Sequence, residues 1–153
     1  MAAHTAVAAF TDTLYYISAS LPATYDEAGY TASSMVFTAI GKMETFPEFG
    51  SQQTVNEFTP ISGSVEYSKG VEKFGSGDAV MGDVPADPGQ VIMKAASNSQ
   101  NHYSMCAVFR DGEEAYFDVL IASWKLSQAK SGAFMTRTST IAFCKEPVVV
   151  AAV

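Results

Sequence analysis

The chain is short of charge. Only 16% of its 153 residues are Asp, Glu, Lys or Arg, where an ordinary soluble domain carries about 25%. Cations are the scarcer sign: nine Lys and Arg against sixteen Asp and Glu leave a net charge of −7. Binding nucleic acid by attraction needs clustered Lys and Arg, so that function is excluded. No Lys or Arg precedes Lys42, and the N-terminal stretch reads as neither a basic arm nor a signal-peptide n-region. No apolar run approaches the roughly 18 residues that span a bilayer, so no membrane insertion is expected. Histidine and cysteine number two each. Cys106 and Cys144 stand among apolar neighbours and read as buried free thiols rather than a disulfide. With no Asn-x-Ser/Thr sequon either, the composition fits folding in a cytoplasm.

What is present is apolar and patterned. Apolar residues make up 48% of the chain, enough to bury a core in one domain of this length. A water-soluble chain with so little charge is expected to cover much of its surface with other subunits, because core-like interfaces are depleted of charge.

The region from His102 to Cys144 carries the clearest pattern. Tyr103, Met105, Ala107 and Phe109 alternate onto one face, and Asp111-Gly112 then offers a type I′ turn. Beyond it Ala115, Phe117, Val119 and Ile121 share a face, with Tyr116, Asp118, Leu120, Ala122 and Trp124 opposite. A third run sets Ala133, Met135, Ile141 and Phe143 against Phe134, Thr136, Thr138, Thr140 and Ala142. Period-two patterning over three long segments predicts an antiparallel meander.

Earlier in the chain, strands are predicted over about 12–20 and 34–45, the first stopped by Leu21-Pro22. FPEFGSQQ is a Pro/Gly break with two exposed-looking aromatics, Phe46 and Phe49. Residues 42–85 read as a long loop region with short strands, glycine-rich from Lys69 to Asp83. A single helix is predicted at about 87–98. Asp87 caps it, Pro88 suits its first position, and Gln90 completes an Asp-x-x-Gln capping box. The fold class is therefore mainly β, an antiparallel β-sandwich or roll with one flanking helix and extended termini.

No catalytic constellation appears, and no cofactor is implied. Neither His4 nor His102 has a nucleophile or an orienting acid at a recognised spacing. His102 and Cys106 stand four apart, which on a strand separates them by about 13 Å at ~3.3 Å per residue, too far to share a metal. GSGDAVMG at 75–82 lacks the Gly-Lys-Ser/Thr ending of a phosphate loop.

The co-linear order of elements resembles the major tail tube proteins of long, flexible-tailed bacteriophages. Three stretches carry the resemblance: YDEAGYTASSMVFTAIGKMETFPEFG at 25–50, DPGQVIMKAA at 87–96, and YSMCAVFRDGEEAYFDVLIASWKL at 103–126 with MTRTSTIAF after it. The resemblance implies one tail-tube domain over 1–153, assembled as hexameric rings that stack into a hollow tube. It implies residues 1–10 as an N-terminal arm and 146–153 as a C-terminal arm. It implies a tape measure protein and tail terminator and tip proteins as partners, DNA passing through the lumen without specific binding, and a place in the virion after assembly in the host cytoplasm.

Within that frame Glu114 and Asp118 are the candidate lumen-facing acids. Phe10, Phe46, Phe49, Phe74, Val148, Val149 and Val150 are the candidate inter-subunit contacts. A different reading stands beside it: a β-sandwich binding module for peptide or carbohydrate, with Trp124, Tyr116 and Tyr30 as aromatic platforms.

Overall fold

A computed structural model describes residues 13–127 and 131–151. In chain order the elements are β1 (Leu14–Ser18), a one-turn helix α1 (Glu27–Tyr30), β2 (Thr38–Ile40), β3 (Met43–Thr45), β4 (Gln52–Phe58), β5 (Glu66–Lys73), β6 (Ser76–Gly82), α2 (Pro88–Ser97), β7 (Tyr103–Val108), β8 (Glu114–Ile121), β9 (Lys125–Ser127), β10 (Thr136–Phe143) and β11 (Val148–Val150). Nine strands form one antiparallel sheet in the order β2-β1-β7-β8-β10-β6-β3, with β11 added on β8 and β9 on β10. The remaining two, β4 and β5, pair only with each other. No helix among the described residues is long and apolar enough to cross a membrane.

The expected meander is β7, β8 and β10. The β7–β8 register runs from Tyr103 opposite Val119 to Val108 opposite Glu114. Its turn differs from the expected type I′. Asp111 stays at negative φ and only Gly112 is positive, at 92°. The Gly112 N–H donates to the Phe109 carbonyl at 2.9 Å, and the Phe109 N–H to the Glu113 carbonyl at 2.8 Å. That is a turn closed by a positive-φ glycine, the longer of the common hairpin loops. Asp111 also accepts from the Glu113 N–H at 3.0 Å, an Asx contact that braces the turn.

The sheet curls back on itself without closing into a barrel. Tyr15 in β1 and Phe46, just after β3, belong to opposite ends of the strand order, yet their rings stack at 4.5 Å. Between them lies the core: Ile17, Ile40, Met81, Met105, Phe117, Val119, Ile121, Ile141 and Phe143, all buried. Each such side chain contributes roughly 1.5–3 kcal/mol of burial. Phe46 and Phe49 close the open side, with Phe49 4.5 Å and Phe46 6.0 Å from the Phe117 ring. The Pro/Gly break that made these two aromatics look exposed is what turns the chain back over the core.

Helix α2 covers the β1–β2 end. Met93 and Ala96 are fully buried on its inner side, and it packs on β1, β2 and β8. A Cβ at Gly89 would overlap the Ala39 carbonyl, so glycine permits the close approach of helix to strand. Asp87 caps as expected, accepting from the Gln90 N–H at 3.1 Å. The return half of the capping box is not made, because Gln90 spends its side chain on Gly41, Gly82 and Val84.

Two sequence expectations are corrected here. The predicted strand over 34–45 breaks into β2 and β3, because Lys42 adopts φ 61° between them. The strands expected to be short within the 42–85 loop region are longer: the glycine-rich part holds most of β5 and all of β6, and β6 lies in the main sheet beside β10.

Candidate assembly surface

The β4–β5 hairpin stands apart from the core. Apart from Gly70, every residue of both strands is exposed. Val55, Phe58, Tyr67 and Val71 expose 66%, 64%, 68% and 67% of their surface, and Ile61 at the tip is fully exposed. The register places Val55 opposite Lys69 and Glu57 opposite Tyr67. Period two therefore sets Val55, Tyr67 and Val71 on one face with Lys69 and Glu57 around them. The tip turns through Pro60 to Gly63, whose N–H donates back to the Pro60 carbonyl at 3.0 Å.

An isolated two-stranded sheet is marginal in water, and its outer edges leave a row of backbone groups unpaired. Exposed apolar side chains on such a ribbon mark a surface built to be covered. Exposed large apolar residues are dense here, with Val65 beside those named, and they alternate with charged ones such as Glu57, Glu66 and Lys69.

The predicted contact residues divide. Val148 and Val150 are half-buried, because β11 pairs with the start of β8, Val148 opposite Tyr116 and Val150 opposite Glu114. The C-terminal valines are thus a strand of their own sheet rather than a free arm, and only Val149 faces outward. Phe46, Phe49 and Phe74 are half-buried against their own core. Phe10 and the rest of 1–10 lie outside the described residues. The exposed Val55, Phe58, Ile61, Tyr67 and Val71 were not among the predicted contacts. Their alternation was legible, but no local signal says that a strand pair stands free of the sheet.

The two predicted lumen acids are not on a wetted face. Asp118 is 1% exposed, with Oδ2 3.1 Å from His102 Nδ1. Glu114 is half-buried at the start of the same strand and accepts from the Tyr116 hydroxyl. Their side of β8 is covered by α1, β11 and the segment before β2, where Tyr30 and Tyr116 stack at 5.2 Å and Phe37 packs beside them. Burial raises the Tyr30 and Tyr116 hydroxyls above their ordinary range. Neither ring is free to serve as a binding platform. Trp124 is half-buried under the Arg137 guanidinium, 5.6 Å from the ring centre.

The wet face of the long strands lies instead on β6 and β10. Thr136, Thr138 and Thr140 are half-exposed, while Ser139, Ile141 and Phe143 point into the core. Thr140 Oγ1 donates to the exposed carboxylate of Asp78 at 2.8 Å, and Ser123 Oγ donates to Thr140 Oγ1 at 3.1 Å.

No family model and no curated protein sequence matches the chain. Solved structures do. A chain of the six-fold symmetrised anti-feeding prophage baseplate superposes with a TM-score of 0.66 at 9% identity, covering 97% of this chain and 98% of that one. A chain of the sheath/tube terminator of an extracellular contractile injection system gives 0.62 at 8% identity, over 97% and 100%. The SPP1 tail tube gives 0.56 at 14% identity, over 93% and 78%. The fold is that of tail tube and tube-terminator proteins, and the likeness is to structural tail components rather than to enzymes.

Proposed function

We propose that the chain is the tube subunit of a long, flexible phage tail, six copies to a ring and rings stacked into the conduit for DNA ejection. The observation that carries the reading is the uncovered apolar hairpin β4–β5 on a tail-tube fold. Head-to-tail contacts repeated around a ring close, and the same logic along the axis gives an open stack. The hairpin supplies the axial contact in this reading, and the free edges of β2 and β3 supply lateral ones. The polar face of β6 and β10, with Asp78 and the threonines, suits a wet channel wall that holds phosphate at a distance. Tape measure, terminator and tip proteins are the expected partners. The assembly is built in the host cytoplasm and ends in the virion.

The binding-module alternative loses its support, since Tyr30, Tyr116 and Trp124 are committed to packing. Negative-stain microscopy of the concentrated, untagged protein tests the proposal. Tubes or six-fold rings are expected. Replacing 53–72 with a short Gly/Ser link should leave the melting temperature almost unchanged and abolish stacking. A monodisperse monomer at every concentration, or unchanged tubes from the hairpin-less variant, would overturn the proposed role.

A further inference from the structure

Three residues far apart in sequence meet beneath the covered face of β8. His102 precedes β7, Asp118 lies in mid-β8, and Cys144 follows β10. The fold brings them together through the sheet. Ser104, two residues after His102, is the register partner of Asp118. The Cys144 N–H donates to the Asp118 carbonyl at 2.8 Å. One nitrogen, one carboxylate oxygen and one sulfur then lie within 4.8 Å of one another.

The carboxylate is the telling group. Asp118 is 1% exposed, yet only Oδ2 has a partner, His102 Nδ1 at 3.1 Å. Oδ1 is buried with no hydrogen-bond partner. A buried carboxylate oxygen left bare costs on the order of 1–3 kcal/mol or more, and such groups in native folds call for a specific explanation. The nearby soft donor is loosely held: Cys144 Sγ makes a long contact, 3.7 Å, to the Ala142 carbonyl and a further one to the Leu120 backbone.

We propose that His102, Asp118 and Cys144 form a binding site for a divalent transition metal, zinc being the best match. The donor set of imidazole, carboxylate and thiolate selects Zn²⁺ over Mg²⁺ or Ca²⁺, which want oxygen alone. Charges balance, since one carboxylate and one thiolate neutralise a dication and the thiol proton leaves to solvent on binding. Zinc at about 2.0–2.3 Å from each ligand places ligand atoms roughly 3.5 Å apart, so the trio must close by about 1 Å. His102 can supply part of that movement, because its side chain is 41% exposed. Three protein ligands leave a fourth position open to water. The ion would tie the start of β7, the middle of β8 and the end of β10, giving the meander a clasp that the tube fold does not itself require.

Untagged, reduced and chelator-treated protein titrated with Co²⁺ provides the test. One equivalent should bring thiolate-to-cobalt charge-transfer absorption, lost in Cys144→Ser, weakened at least tenfold in affinity in His102→Ala, and kept in Cys106→Ala. Zn²⁺ should displace the cobalt and slow alkylation of Cys144 at least tenfold in the wild type but not in His102→Ala. Circular dichroism checks that each variant is folded, and His102→Ala, which removes a partly exposed ring, keeps the test decisive if the cysteine variant is not. Absence of the thiolate band in the wild type, or its persistence in both His102→Ala and Cys144→Ser, would reduce the trio to a hydrogen-bonded pair beside a thiol.

Discussion

Gln90 carries an unusual polar load for one side chain. It is buried, its Nε2 donates to the Gly41 carbonyl at 3.1 Å and the Gly82 carbonyl at 2.8 Å, and its Oε1 accepts from the Val84 N–H at 3.1 Å. It thereby pins the breaks after β2 and β6 to the first turn of α2. Gln90→Leu keeps the volume and deletes all three bonds, so a loss of about 2–4 kcal/mol is expected in denaturant unfolding at unchanged m. Cys106 makes a second residue-scale prediction. Burial pushes its thiol up to about 12, with Glu114 adding to the rise. The unfolded thiol ionises near about 8.5, so the unfolded chain releases this proton first. Its contribution is complete below that pH and is lost as pH rises through the window to about 12. Wild-type melting temperature should therefore fall more steeply above about pH 9 than that of Cys106→Ala. Equal slopes would show that the thiol is not shielded. The capping Asp87 was readable three residues ahead of Gln90. The use Gln90 makes of its amide was not, since its partners lie 49 and 8 residues away.

At the scale of elements, β11 and the hairpin make opposite predictions. Val148 and Val150 cover Tyr116 and Tyr30, so removing residues 148–153 should cost roughly 2–3 kcal/mol, the burial of two partly covered valines and their ring contacts. Val149→Ser, on the outward side of the same strand, should cost almost nothing. Comparable losses from both changes would mean that the strand is held by its outer face instead. The hairpin β4–β5 buries little within the subunit, and its replacement is expected to spare stability. Pattern gave short strands on either side of Pro60 to Gly63 and an arm at the C-terminal valines. What it could not give was the partner, because VVV has the same pattern as a free arm and as a strand laid on β8. Likewise Phe46 and Phe49 had the composition of an exposed break, and only the curl of the sheet shows that they fill its open side.

For the whole molecule, assembly should register as protection. Amide exchange over 52–73 is expected to slow in the tube relative to the monomer, while β7 and β8, already paired on both sides, should change little. Equal protection of the hairpin in both states would remove it from the assembly interface. The sequence alone determined what depends on neighbours two to four residues apart: the alternating strands, the capped helix and the free thiols. Tertiary structure decided what depends on residues tens of positions apart. It turned Asp118 inward beside His102 and Cys144, placed β6 in the main sheet beside β10, and left β4 and β5 standing alone. A strand's own pattern fixes which residues share a face. Which face becomes core, and which is left uncovered, is settled only when the sheet has curled and its other strands have taken their places.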